Sequence, residues 1–157
     1  MTLSLADAVE FINLEADLLD RRDYAAWLEL WTEAGIYVIP VDNDAEDFAA
    51  VLNYAYDDAH MRQLRVDRFV GGHAISSAPA AKTVRVLGRF RTEETAPGAI
   101  TVRAAQHLVE YKFETHRLYA ADVTYKIVAT DEGLKLDSKI VRLLNAGDAL
   151  ASLSYLM

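Results

Sequence analysis

Cysteine is absent from all 157 residues. That excludes disulfides, a thiolate nucleophile, Cys-ligated zinc and any Cys-ligated iron–sulfur cluster. Only four histidines are present, His60, His73, His107 and His116, and no two have the i,i+4 helical or i,i+2 strand spacing of a compact metal motif. An excess of positive charge is also missing. The net charge of −8 argues against nucleic acid or an anionic membrane as partner, since both reward clustered Lys and Arg. No apolar run approaches the ~20 residues needed to span a bilayer, and no basic-then-apolar leader opens the chain. A cytoplasmic protein is expected. Glycine-rich phosphate loops, dinucleotide fingerprints and a Ser-His-Asp order are absent as well.

What remains is ordinary globular material, 52% hydrophobic and 25% charged, without linker, repeat or low-complexity segment. The expectation is one domain over residues 1–157. Leu5, Ala8, Val9, Ile12, Ala16 and Leu19 line one face of a helix that Ser4 and Asp7 open as a capping box. Asp23 caps a second, shorter helix whose Tyr24, Trp27, Leu28 and Trp31 share a face, with Gly35 ending it and a strand from Ile36 to Pro40. Residues 41–50 are acidic and unpatterned, a surface loop. Val51 to Tyr56 reads as a short strand, and Asp57 or Asp58 starts a helix running to about Arg68.

The second half reads as a long antiparallel meander. Val84, Val86 and Phe90 alternate with Arg85, Arg89 and Arg91, followed by strands over Ile100–Phe113, Arg117–Ala129 and Leu134–Asn145. Strands of this length must twist and curl. The expected class is therefore α+β, a strongly curved antiparallel sheet with the N-terminal helices packed on its concave face.

Such a cone offers an interior, and the candidates for its lining are Tyr37, Tyr54, Tyr56, Asp57, Asp58, Arg65, Arg68 and His73. A functional reading makes Asp57 or Asp58 a base in an apolar pocket, with Tyr37, Tyr54 or His73 polarising a carbonyl. The structural reading, which is favoured, makes Asp57, Asp58, Arg65 and Arg68 a set of ion pairs, with Asp58 and Arg65 on one helical face two turns apart. His107 reads as a sheet residue, His116 as a solvated turn residue, and His60 as an unremarkable residue of the expected helix. The Arg85, Arg89 and Arg91 stripe reads first as a solvated strand face and second as a contact for an acidic partner.

Several segments, in order, resemble the small (β) subunits of aromatic-ring-hydroxylating dioxygenases. They are Glu15 to Asp20, Tyr24 to Trp27 with Leu30, Tyr37 and Pro40, then Tyr56-Asp57-Asp58, Arg65 to Arg68, Pro79, Thr83 and Arg85. Lys139 to Asn145 with Ala149 to Leu156 complete the series. Departures from the usual pattern fall at Pro79–Arg85, at Gly88 and Ala121, and in a last strand without a preceding tryptophan. The resemblance implies an NTF2-like cone and assembly with a larger α subunit, commonly three of each, with the chain forming a trimer on its own. It also implies that the Rieske cluster and non-heme iron reside in the α subunit, leaving this chain without cofactor, metal or catalytic residue. A stand-alone dehydratase or isomerase of the same fold, using a pocket Asp with Tyr or His, is the competing expectation.

Overall fold

The structure, a computed structural model, describes residues 2–71, 81–146 and 157. Helix α1 spans Leu5–Asp20 and α2 spans Tyr24–Glu29. Strand β1 (Trp31–Pro40) follows, then a single 3-10 turn at Phe48–Ala50, β2 (Asn53–Asp57) and helix α3 (Ala59–Gly71). Four long strands follow among the described residues, β3 (Lys82–Ala96), β4 (Ala99–Lys112), β5 (Thr115–Thr130) and β6 (Gly133–Leu143). The sheet order is β2-β1-β6-β5-β4-β3, antiparallel throughout except for the parallel β1–β6 pair.

Each helix starts where its cap dictates. The Ser4 hydroxyl accepts from the Asp7 amide, and the Asp7 carboxylate accepts in return from the Ser4 amide, closing the capping box. Asp23 accepts from Ala26 at the start of α2, and Asp58 accepts from Met61 at the start of α3. The buried stripe of α1, Ala8, Phe11, Ile12, Ala16 and Leu19, packs on the inner face of the sheet. That face presents Val102, Ala104 and Leu108 from β4, Val123, Tyr125 and Ile127 from β5, and Val141 and Leu143 from β6. Register shifts interrupt β1, β3 and β5, and such bulges increase local twist and curl the sheet around the helices.

Two local expectations are corrected. Helix α2 ends at Glu29, so Trp31 begins β1 and Gly35 lies inside that strand. Gly35 does not terminate a helix; it admits a close approach. A Cβ there would sit 2.9 Å from Trp31 Cε3 and 3.0 Å from the Leu136 carbonyl oxygen. The facing of β3 is also reversed from its apparent alternation. Val84 and Val86 are 59% and 60% exposed, while Arg85 is only 8% exposed and turns inward. The cause is Asp20 at the end of α1, whose carboxylate accepts from the Arg85 amide and guanidinium and from the Thr83 hydroxyl. Charge-assisted bonds from one carboxylate fix which face of the strand meets the helix.

Candidate functional site

Asp57 closes β2 and Arg65 lies two turns into α3, so strand and helix deliver the two side chains to one point. Arg65 donates through Nε and Nη2 to the two Asp57 carboxylate oxygens, at 2.6 and 3.0 Å. Asp57 is buried. The bidentate bond to Asp57 holds the Arg65 guanidinium above its ordinary pKa, against the opposing effect of burial. Asp58 does not join this pair. It is exposed, and its carboxylate is occupied as the cap of α3. Arg68 is exposed and makes no ion pair among the described residues. His73 lies outside the described residues, as do Pro79 and Ala149 to Leu156.

Tyr37 does reach the cone interior. It is fully buried, its hydroxyl accepts from the Met157 amide at 2.8 Å, and burial pushes its pKa far above the ordinary phenol value. Tyr54 instead donates to the Ala146 carbonyl, and Tyr56 points outward, half-exposed. His60, His107 and His116 are exposed and sit on α3, β4 and β5, with His116 stacked against Tyr111 at 4.8 Å. Among the described residues, no group of three or more His, Asp or Glu is placed to hold a metal ion. A chain without cysteine also lacks the thiolates of a Rieske centre.

The centre of the cone is built from residues that the candidate set omitted. Lys139 of β6 donates to Glu15 of α1 at 2.6 Å, and Trp27 Nε1 donates to the same carboxylate oxygen at 2.9 Å. The ammonium lies 5.9 Å from the Tyr37 ring centre and 5.6 Å from that of Tyr125. Burial lowers the Lys139 pKa, with Glu15 acting in the opposite direction. Desolvation raises the Tyr125 pKa well above its ordinary value. Beside them Gln106 donates to the Met157 carbonyl at 2.7 Å. Glu15 Oε2, Tyr125 Oη and Gln106 Oε1 have no hydrogen-bond partner among the described residues.

Below this cluster Arg62 of α3 donates to the carbonyls of Gly35 and Thr32 and lies over the Trp31 ring. The signal for the omitted residues was present in periodicity. Glu15 falls three residues after Ile12 on the apolar face of α1, and Lys139 alternates inward with Val141 and Leu143. Chemically, the Lys139 ammonium is neutralised by Glu15 of the same chain, an arrangement suited to holding α1 against β6.

The profile of the ring hydroxylating beta subunit family matches residues 14–147. The small subunit of 2-halobenzoate 1,2-dioxygenase from Burkholderia cepacia is 26% identical over 147 residues, 90% of this chain and 89% of its own length. Among solved structures, the β subunit of benzoate 1,2-dioxygenase from Burkholderia mallei superposes with a TM-score of 0.85 at 24% identity, covering 99% of each chain. An NTF2-like protein with a cystatin-like fold from Novosphingobium aromaticivorans superposes at 0.61 and 18% identity, over 89% of this chain and 80% of that one. The fold is thus the NTF2-like cone.

Proposed function

The chain belongs to the ring hydroxylating beta subunit family, and from that premise we propose that it acts as the structural small subunit of a multicomponent dioxygenase that breaks down aromatic compounds. The observation that carries this reading is the family match over residues 14–147. The closure of Glu15 with Lys139 and of Asp57 with Arg65 supports it, because these four buried or half-buried charges are engaged with each other. The chain forms one domain over residues 1–157, assembles as a homotrimer in the cytoplasm, and supports an α subunit that holds the Rieske cluster and the non-heme iron. Both named dioxygenase relatives act on benzoates, so the proposed substrate of the complex is an aromatic carboxylate bound on the α subunit.

The test is co-expression with a dioxygenase α subunit from the same genome, followed by mass determination and turnover of benzoate with electron-transfer partners supplied. The expected species contains equal numbers of both chains. If the chain runs only as a monomer, both alone and with the α subunit, the reading is withdrawn.

A further inference from the structure

Met157 lies inside the cone, fully buried and outside any helix or strand. Two side chains hold its main chain. The Met157 amide donates to Tyr37 Oη at 2.8 Å, and its carbonyl accepts from Gln106 Nε2 at 2.7 Å. Main-chain groups of a folded protein bond mostly to other main-chain groups. Side chains from two strands closing on one N–H and one C=O is how a pocket fixes the orientation of a small molecule. The surroundings also hold more hydrogen-bonding capacity than one residue uses. Gln106 Oε1 and Glu15 Oε2 are buried with no partner among the described residues. Lys139 commits one of its three donors, to Glu15, and its ammonium lies 5.9 Å from the Tyr37 ring centre. Buried polar groups left over in this way call for an explanation, and a ligand supplies one.

We propose that the interior of the cone is a binding site for an N-acylated apolar amino acid amide, a seat that Met157 fills from within the chain. The class of ligand follows from the grip. Tyr37 receives an N–H and Gln106 donates to a carbonyl, so the ligand carries both, one on each side of a single tetrahedral carbon, as Met157 does. Gln106 Oε1 can accept a second N–H, which selects a primary amide over an ester or a carboxylate at the carbonyl end. The side chain of the ligand is apolar, because the Met157 side chain joins the hydrophobic core there. An occupant tethered to the site competes at high effective concentration, so the ligand gains the seat as Met157 leaves it. The site goes beyond the structural role of the chain, which stands whether or not the seat exchanges.

The experiment measures binding of N-acetyl-L-methionine amide by calorimetry to the full chain, to Met157→Asp and to Met157→Ala. An aspartate is not retained uncompensated in an apolar interior, so it vacates the seat, and alanine weakens the apolar hold. The probe is expected to bind Met157→Asp at least about tenfold more tightly than the parent, with Met157→Ala between them, and to raise the melting temperature of both variants. Adding Gln106→Leu to Met157→Asp is expected to weaken the probe by about tenfold or more, because the carbonyl loses its donor. Ethyl methyl sulfide keeps the thioether without the amide and is expected to bind at least about tenfold less tightly than the probe. Equal binding of the sulfide shows an ordinary core cavity and overturns the site. Equal affinity for the parent and Met157→Asp overturns Met157 as its occupant. A probe that neither binds the folded variants nor restores the melting transition of a variant that has lost its fold overturns the inference outright.

Discussion

Glu15 and Lys139 meet at 2.6 Å from opposite layers of the fold, with side chains 1% and 0% exposed. Taking two charges out of water costs several kcal/mol per ion, and only a close, hydrogen-bonded partner offsets it. Removing one member therefore leaves a buried charge uncompensated. Lys139→Ala is expected to lower the unfolding free energy by about 3–5 kcal/mol. The double variant Glu15→Gln, Lys139→Met keeps an acceptor for Trp27 and is expected to recover all but about 1–2 kcal/mol of that loss. Urea titration of the parent, Lys139→Ala, Glu15→Gln, Lys139→Met and the double variant measures these losses and closes the cycle. A single variant as stable as the parent would contradict this account of the core.

Tyr37 and Tyr125 should respond in opposite ways to loss of the hydroxyl. Tyr37 accepts from the Met157 amide, so Tyr37→Phe leaves a buried donor unpaired and costs about 1–3 kcal/mol. The Tyr125 hydroxyl is buried without a partner among the described residues, and Tyr125→Phe is expected to be neutral or stabilising at pH 7.

Alkali separates the two tyrosines from other groups. Both phenols have folded pKa values above the ordinary phenol value of 10.0. The stability this represents is fully present below pH 10 and is lost as pH rises toward the folded values, because the unfolded chain releases its protons first. Lys139 works the other way. Its folded pKa is depressed, so its contribution grows as pH rises toward 10.5. That term is common to the parent and Tyr125→Phe, so the difference between their stabilities from pH 9 to 11 isolates the phenol. The variant is expected to lose less stability over that range.

Much of the fold was legible before the structure. The capping box at Ser4 and Asp7, the Asp23 cap and the four long strands follow from local chemistry and period. The facing of β3 was not, because Val84 and Val86 alternate with arginines as inward residues would. Only Asp20, 65 residues before Arg85, decides that the arginine turns inward. The charged site was half legible for a similar reason. The spacing linked Asp58 to Arg65 along one helix, whereas a strand end brings Asp57 to that arginine and leaves Asp58 to cap α3. Glu15 and Lys139 are 124 residues apart, and nothing local pairs them.

Gly35 tests the close approach of β1 to β6. A Cβ there would meet backbone as well as the Trp31 ring, and a carbonyl cannot rotate aside as a surface side chain can. Gly35→Ala is expected to cost about 1–3 kcal/mol by overpacking, read as a lowered melting temperature. Gly88→Ala has open space at its Cβ and serves as the control.

Asp57→Asn addresses the competing catalytic reading. The variant keeps the shape but loses the charge-assisted fork to Arg65, and is expected to destabilise by about 1–3 kcal/mol. Once the variant is assembled with the α subunit, turnover per complex should match the parent, since the carboxylate's partner is a structural arginine. A tenfold fall in turnover with assembly intact would return Asp57 to the catalytic candidates.

The β4–β5 hairpin stores strain that can be relieved. Lys112 pairs with Thr115, and the two residues between them, Phe113 and Glu114, have φ of 53° and 60°. Positive φ at both central positions is the type I′ turn, which suits Asn-Gly and strains a bulky side chain. Phe113 is moreover 65% exposed, so the turn gains little burial in return. Phe113→Asn with Glu114→Gly is expected to stabilise the chain by about 1–2 kcal/mol, from the cost of left-handed backbone at non-glycine residues. Thermal melting measures it. If the gain appears in the isolated chain but assembly with the α subunit weakens, the strain is retained because Phe113 contacts the partner.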